Sequence, residues 1–146
     1  MLPNIGDKPH DTQAMARKPT LHPSLKPFVA NVTSADIALG DIRNGDHVFV
    51  GTGCAAPRGL VQALEHMRNP PADIELLHFF TVNAFDHDAD GNSTTRFRHR
   101  SFFVGNDMCA AVKQGLVDYV PMSVARVPEM MALGRIPVDV ALIQVY

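Results

Sequence analysis

The chain of 146 residues is long enough for one domain with a sizeable core, since 46% of its residues are hydrophobic and 19% are charged. A formal net charge of -2 excludes the general affinity for nucleic acid or anionic membranes that a strongly basic protein shows. Two cysteines are too few for a disulfide framework, so Cys54 and Cys109 are expected to be reduced thiols of a cytoplasmic protein. No apolar run reaches the roughly 18 residues that a membrane-spanning helix needs.

Residues 1–32 differ in composition from the rest of the chain. Prolines recur there often enough to interrupt any helix, at Pro3, Pro9, Pro19, Pro23 and Pro27. We therefore predict an extended, proline-rich arm over residues 1–32, followed by one α/β domain over residues 33–146.

Helical and strand patterns alternate through the first half of this domain. The segment 33–36 carries the Ser/Thr-x-x-acid signal of a helix start, and apolar residues at helical spacing extend that helix to about Ile42. Apolar strands are predicted at 48–50 and 74–80. Between them Pro57 suits the first position of a second helix. The inner face of that helix is predicted to comprise Leu60, Ala63, Leu64 and Met67.

The second half continues the alternation. Strands are predicted at about 99–104 and 117–120, and Asn106 is suited to cap the helix between them. Pro128 opens a last helix, and the almost continuously apolar segment 138–145 is typical of a strand that is covered on both faces. Strands that alternate with helices in this way predict a three-layer α/β sandwich with a mainly parallel sheet.

The segment 51–57 joins the first strand to the following helix and contains two glycines. Gly51 and Gly53 allow positive φ and let a second backbone or a ligand approach closely. Such a turn leaves N–H groups directed outward at the positive end of a helix dipole, where a phosphate, a carboxylate or a transient oxyanion binds. A tight turn that binds nothing is the alternative. Cys54 within the turn is interpreted as a small buried thiol rather than a nucleophile.

Three other patterns suggest ligands. The G-x-G-x-x-A spacing from Gly51 fits a dinucleotide-binding turn, but the acid that such a site needs at the far end of the second strand is missing, since Glu75 lies near its start. The segment 86–91 resembles the opening of a calcium loop, yet Phe97 occupies the position of the bidentate glutamate, which favours a polar loop. No histidine or cysteine spacing indicates a zinc site.

Two groups of polar residues fall on predicted strands. His78 is interpreted as a hydrogen-bonded core histidine rather than a ligand. Arg96, Arg98 and Arg100 alternate with other residue types, so a strand would place their guanidinium groups on one face. Such a row could hold phosphates or the acidic side chains of a partner, or it could protect an edge strand by its charge.

Several segments together resemble the amino-terminal domain of the acetyl-CoA hydrolase/transferase family, which includes 4-hydroxybutyrate CoA-transferases. The resemblance runs from about residue 35 to 145, and its most specific part is the run Pro-Val-Asp-Val-Ala-Leu-Ile-Gln at 137–144. The other matching segments are 51–57, 97–99, 102–105 and 118–121. The resemblance implies a fold of the NagB/RpiA/CoA-transferase type.

The resemblance also implies a reaction. Family members move CoA between carboxylic acids, or to water, through a glutamyl-CoA thioester, with the active site between two related α/β domains. The glutamate belongs to the carboxy-terminal domain, and the three glutamates of this chain, Glu65, Glu75 and Glu129, lie in no segment that matches its motif. We therefore expect an amino-terminal half that has no catalytic residue of its own and is inactive alone. Its expected partners are the missing domain, further copies of the chain as a homo-oligomer, acyl-CoA or CoA, and a small carboxylate.

Coenzyme A is expected as a substrate, with no covalently bound cofactor and no metal. The residues assigned to substrate or CoA binding are Gly51, Thr52, Gly53, Cys54, Ala55, Pro57, Gly105 and Asn106. Two alternatives stay open at this point: a non-catalytic domain that binds CoA or a partner, and a dinucleotide-dependent oxidoreductase.

Overall fold

The computed structural model describes residues 23–81, 85, 96–106 and 108–145. The predicted calcium-like loop at 86–91 and the greater part of the proline-rich arm lie outside these residues. The chain divides between Val32 and Thr33 into two units, and each is described by itself.

The first unit contributes a 3₁₀ helix at Pro23–Asn31, with Pro27 inside it. The prediction of an extended chain is wrong for these nine residues. Proline opposes an α-helix because it lacks the N–H and clashes with the preceding turn. Its φ of about −65° is nevertheless compatible with a 3₁₀ helix.

In its described residues the second unit is built on a five-stranded sheet. Its strands are β1 (His47–Val50), β2 (Glu75–His78), β3 (Arg98–Ser101), β4 (Val117–Tyr119) and β5 (Val140–Leu142). They lie side by side in the order β4-β3-β2-β1-β5, and every pairing is parallel. Val48 in the middle of β1 is thus opposite Leu76 on one side and Val140 on the other. The predicted α/β class and parallel sheet are confirmed.

The described residues form four short α-helices beside the strands: α1 (Ala35–Leu39), α2 (Arg58–Glu65), α3 (Cys109–Lys113) and α4 (Val127–Ala132). Ser34 caps α1 by accepting a hydrogen bond from the Ile37 N–H at 3.4 Å, which confirms the predicted helix start. Pro128 lies in the first turn of α4, as predicted. No helix among the described residues is long and apolar enough to cross a membrane.

Two predicted helix starts are displaced in the structure. Pro57 precedes α2, because the Arg58 N–H donates to the Ala56 carbonyl at 2.8 Å and bends the chain before the helix begins. Asn106 does not cap α3, which begins after Met108 without a side-chain cap. There a turn that closes from the Met108 N–H to the Gly105 carbonyl, at 3.2 Å, separates Asn106 from the helix.

Each face of the sheet has its own hydrophobic cluster, because successive side chains of a strand point to opposite faces. One cluster packs Val48 and Leu76 against α1, α2 and α3. The other packs Leu77 and Phe79 against α4 through Val127. The three predicted layers are therefore confirmed. On the predicted inner face of α2, Leu64 is fully buried, whereas Leu60, Ala63 and Met67 are partly buried.

The last strand is not covered on both faces, so that prediction is wrong. Regular strand structure is confined to Val140–Leu142, which pairs with β1 and with no other described strand. Ile143 and Val145 follow it with exposed fractions of 58% and 77%. Within the apolar run at 138–145, Leu142 is buried because residues of α2 and β1 pack in the same cluster.

The predicted arginine row pairs within the chain. β3 lies between β2 and β4, so it is no edge strand, and Arg98 is in register with Glu75 on β2. The buried Glu75 carboxylate lies 3.6 Å from the Arg98 guanidinium and 3.0 Å from that of Arg100. Arg96 precedes the strand and donates to the Glu65 and Met67 carbonyls at 3.2 and 3.0 Å. The edge-strand interpretation is therefore wrong. The binding of phosphates or of a partner's acidic side chains stays a prediction, and such a ligand would compete with the Glu75 carboxylate at Arg98 and Arg100.

A pair of buried histidines crosses from β2 to β3 in the cluster under α1 to α3. His78 Nε2 lies 3.2 Å from His99 Nδ1, and the two residues are 0% and 1% exposed. The Phe85 ring contacts both imidazoles. Burial lowers the pKa of His78 to about 4, and burial together with the neighbouring His78 lowers the pKa of His99. The interpretation of His78 as a hydrogen-bonded core histidine is confirmed.

This pair makes the fold sensitive to acid. His78 in the unfolded chain binds a proton below pH 6.5, whereas the folded state resists protonation down to about pH 4, so acid favours the unfolded chain. We expect the free energy of unfolding to fall by about 3 kcal/mol from His78 alone between these two pH values. Denaturant titrations at a series of pH values measure this loss.

The double variant His78→Leu/His99→Leu is expected to flatten that pH dependence, because it removes both buried proton acceptors together. His66→Gln, which changes an exposed histidine at the end of α2, is the control and should retain the parent slope. Equal slopes for the parent and the double variant would refute the assignment.

Candidate functional site

The turn after β1 lies where the order of the strands reverses. From β1 the chain moves through β2 and β3 to β4 on one side, and then returns to place β5 on the other side of β1. The connecting helices α2 and α4 pack on opposite faces of the sheet. In parallel sheets, the crevice at the carboxyl ends of strands at such a point is the usual ligand site. Residues 51–57 lie at this crevice.

Gly51 is buried at the end of β1 and has no room for a side chain. Its N–H donates to the Leu142 carbonyl of β5 at 2.9 Å. A Cβ at this position would lie 2.9 Å from the Ala55 carbonyl oxygen and 3.4 Å from that of Leu142. Only glycine fits here, which agrees with the predicted close approach of a second backbone.

Thr52 and Gly53 fasten the turn to the end of β2. The Thr52 hydroxyl donates to the Phe80 carbonyl at 2.6 Å and accepts the Phe80 N–H at 3.0 Å. The Gly53 N–H also donates to the Phe80 carbonyl, at 2.6 Å. Gly53 has a φ of 60°, so the predicted positive φ is confirmed at this glycine. Three hydrogen bonds therefore hold the turn against one residue of the neighbouring strand end.

Several N–H groups of the turn are used within the chain. Those of Gly51 and Gly53 donate to Leu142 and Phe80, and the Ala55 N–H donates to the Thr52 carbonyl at 3.1 Å. A ligand oxygen at these positions has to replace a protein carbonyl. The anion site at the turn thus stays a prediction. It requires these N–H groups to leave their protein carbonyls and bind the anion instead.

An apolar cavity of about 690 Å³ opens beside the turn on the α4 side of the sheet, and we call it the Phe80 cavity. This volume falls within the range of small-molecule sites. The rings of Phe80 and Phe103 meet edge to face, with centroids 5.6 Å apart, and are 38% and 54% exposed. The lining residues are Phe49, Thr52, Phe79, Phe80, Phe103, Val124, Val127, Pro128 and Met131.

The predicted site residues all follow the carboxyl ends of strands, but they lie at different strands. Thr52 lines the Phe80 cavity, while Pro57 borders a second cavity of about 370 Å³ between α2 and residues 143–145. Gly105 and Asn106 follow β3, which is separated from β1 by β2, and neither lines the Phe80 cavity.

Cys54 is exposed, so the prediction of a buried thiol is wrong. It lies in the 3₁₀ turn at Gly53–Ala55, which has no buried residue and lies outside the core cluster of α2. Cys109 is exposed at the start of α3.

The phenylalanines of the Phe80 cavity were missed by the sequence reasoning. The signal was present in the doublets Phe79-Phe80 and Phe102-Phe103 at the ends of β2 and β3. The carboxyl ends of neighbouring parallel strands lie side by side, so the two doublets come together there, and the rings of Phe80 and Phe103 are in contact. In both doublets the first ring is buried and the second is exposed.

None of the three glutamates of the chain lines the Phe80 cavity. Glu75 is buried at the start of β2, the opposite end of the strand from the turn. Glu65 ends α2, and Glu129 is exposed on α4 with Arg126 at 3.7 Å. Among the described residues, no group of three or more His, Cys, Asp or Glu side chains is placed to hold a metal ion.

The sequence profile of the Acetyl-CoA hydrolase/transferase N-terminal domain matches residues 17–145. The chain belongs to the acetyl-CoA hydrolase/transferase family. Two curated relatives of this family member carry the names of CoA transferases. The 4-hydroxybutyrate coenzyme A transferase of Clostridium kluyveri is 32% identical over 118 residues, which are 81% of this chain and 27% of that protein.

The second relative is the succinyl-CoA:acetate/propanoyl-CoA:succinate CoA transferase of Fasciola hepatica, 30% identical over 77% of this chain and 23% of that protein. The family member described here thus spans about a quarter of the length of these relatives.

Solved structures confirm the predicted CoA-transferase type of fold. RipA from Yersinia pestis superposes with a TM-score of 0.61 and 23% identity over 76% of this chain and 28% of that chain. The 4-hydroxybutyrate CoA-transferase from Porphyromonas gingivalis gives a TM-score of 0.53 and 22% identity over 82% of this chain and 26% of that chain.

The tight packing at Gly51 is open to a direct test. Gly51→Ala is expected to destabilise the protein by about 2 kcal/mol, because the new Cβ overlaps the Ala55 carbonyl. Gly59→Ala is the matched control, since Gly59 lies inside α2 with open space around it, and should gain about 0.5 kcal/mol. Denaturant unfolding of both variants measures the difference, and equal stabilities would contradict the packing argument.

Proposed function

We propose that this family member is the amino-terminal part of an enzyme that moves CoA between carboxylic acids, or from an acyl group to water, through a glutamyl-CoA thioester. One observation carries the proposal: in a chain of this family, the glycine turn lies beside the Phe80 cavity, because Thr52 of the turn also lines that cavity. Both lie at the carboxyl ends of the strands, where parallel sheets bind ligands.

The two features suit different parts of an acyl-CoA. The apolar Phe80 cavity suits the acyl group, and the turn suits the thioester carbonyl beside it. When a carboxylate attacks that carbonyl, negative charge develops on its oxygen, and an N–H donor placed there lowers the barrier.

Gly53 is the candidate for this donor. Its N–H is bonded to the Phe80 carbonyl at 2.6 Å and has to leave it in order to reach a ligand. Nothing lies within 4 Å of the position of its missing Cβ, and its φ of 60° is one that glycine adopts without strain. The backbone at Gly53 therefore has room to turn toward a ligand.

The attacking glutamate is proposed to come from outside this chain. The Glu75 carboxylate pairs with Arg98 and Arg100 at the far end of the sheet. Glu129 pairs with Arg126 and is not among the residues that line the cavity. The curated relatives are about four times as long as the matched segment, which leaves ample chain for a nucleophile. The family member described here would then contribute binding and orientation rather than covalent chemistry.

A non-catalytic domain that binds CoA or a partner is the second candidate. The exposed apolar residues Ile143 and Val145 favour it. Among the described strands β5 pairs on one side only, and a strand edge with apolar neighbours can take up another polypeptide. A homo-oligomer is proposed on the same grounds. A dinucleotide oxidoreductase is not favoured, since the carboxyl end of β2 continues into Phe79, Phe80 and Thr81 instead of an acid.

Calorimetric titration with acetyl-CoA, combined with chromatographic detection of released CoA, tests the proposal. Chromatography is needed because the exposed thiols of Cys54 and Cys109 would react with a thiol reagent. We expect binding without turnover from this chain. Turnover would show that the nucleophile lies within the 146 residues, and an absence of binding would refute the proposed acyl-CoA site.

The role of Gly53 has its own test. Gly53→Ala is expected to weaken acetyl-CoA binding at least fivefold, because a side chain restricts the backbone at the donor. Gly45→Ala is the matched control, since both glycines have positive φ and open space, and each variant should lose about 1 kcal/mol of stability. Gly45 lies before β1, at the other end of the strand, and its variant should bind normally. Equal binding by the two variants would contradict the assignment.

A further inference from the structure

We propose that the acyl group held in the Phe80 cavity is an unsubstituted hydrocarbon chain, and that acyl groups with a second carboxylate or a hydroxyl group are disfavoured there. This inference rests on the proposed function and adds a substrate class to it. The two curated relatives are named for 4-hydroxybutyrate and for succinyl-CoA, acetate and propanoyl-CoA. The proposal therefore separates this chain from relatives whose names include polar acyl groups.

The lining of the cavity has almost no hydrogen-bonding capacity. Thr52 is the one polar side chain among its nine lining residues. Its hydroxyl has a single proton, which it donates to the Phe80 carbonyl at 2.6 Å, and it also accepts the Phe80 N–H at 3.0 Å. The described lining residues offer a carboxylate in the cavity no available side-chain donor, and burial of an unpaired charge is strongly unfavourable.

The charged side chains nearest in sequence to the cavity wall are engaged elsewhere. Arg126 and Glu129 flank Val127 and Pro128 but pair with each other at 3.7 Å, with exposed fractions of 65% and 59%. Arg98 and Arg100 are directed to Glu75 at the opposite end of the sheet from the turn. In the part of the chain that the structure describes, no cation is among the cavity lining.

The remaining walls favour an extended hydrocarbon. Phe49 and Phe79 contribute aromatic surface from the ends of β1 and β2, and Met131 contributes a flexible thioether from α4. Phe80 and Phe103 stand partly exposed beside them. A chain that enters past these rings transfers its methylenes from water to apolar surface, which strengthens binding about fourfold for each methylene.

A series of CoA thioesters tests the proposal by calorimetry on the whole chain: CoA itself, butyryl-CoA, hexanoyl-CoA, succinyl-CoA and 4-hydroxybutyryl-CoA. We expect hexanoyl-CoA to bind about 15-fold more tightly than butyryl-CoA, because it has two more methylenes. Succinyl-CoA and 4-hydroxybutyryl-CoA should bind no more tightly than CoA alone. Equal affinities across the thioesters, or a preference for succinyl-CoA, would overturn the substrate class while the proposed function survives. If neither CoA nor any thioester binds, the proposed function fails and this inference fails with it.

A charge at the cavity provides the second arm of the test. Phe103→Lys should weaken hexanoyl-CoA about tenfold and make succinyl-CoA bind more tightly than CoA. Leu116→Lys is the control, because Leu116 is 50% exposed, close to the 54% of Phe103, and does not line the cavity. Unchanged acyl preference in Phe103→Lys would refute the proposal. So would a loss of self-association in sedimentation without a change of acyl preference, since the cavity would then be an interface between copies.

Discussion

At Gly51 three backbone segments meet with no room for a side chain, and the rest of the candidate site depends on this contact. The Gly51 N–H binds the Leu142 carbonyl of β5, while the Ala55 carbonyl lies 2.9 Å from where a Cβ would be. The chain after β1 therefore folds tightly back on itself beside β5. Hydrogen bonds from Thr52 and Gly53 to Phe80 then fasten the same turn to the end of β2. Three strand ends and one side of the Phe80 cavity are positioned by this single turn.

The α4 face of the sheet is divided between a polar half and an apolar half. At the amino ends of the strands, Glu75 is buried among His47, Arg98 and Arg100, the kind of paired arrangement that a buried charge requires. Hydrogen bonds from the backbone and ring of His47 hold the pKa of the nearby Asp139 carboxyl below its usual value. These ion pairs lie at the amino ends of the strands, while the carboxyl half of the face presents aromatic and aliphatic side chains.

Much of the fold followed from local patterns in the sequence. The hydroxyl of Ser34 and the fixed φ of Pro128 predict helix starts because both act within one turn of the backbone. Apolar strand segments that alternate with amphipathic helices predict a parallel sheet, because parallel strands require crossovers. The glycines at 51 and 53 marked the turn of the candidate site in the same local way. Motifs spread from residue 35 to 145 were sufficient for the family, which the match at 17–145 confirms.

The sequence by itself thus determined the elements, the turn and the family. Only the tertiary structure decided which side chains contact one another, because strand register and packing depend on residues that are distant in the chain. The arginine row was compatible with an edge strand until the sheet order placed β3 between β2 and β4, with Glu75 opposite Arg98. The sequence predicted a buried Cys54, but the structure places this residue in an exposed 3₁₀ turn outside the core. The Phe80 cavity was invisible because its walls come from four separate segments, and no local pattern states which ring of a phenylalanine doublet packs inward.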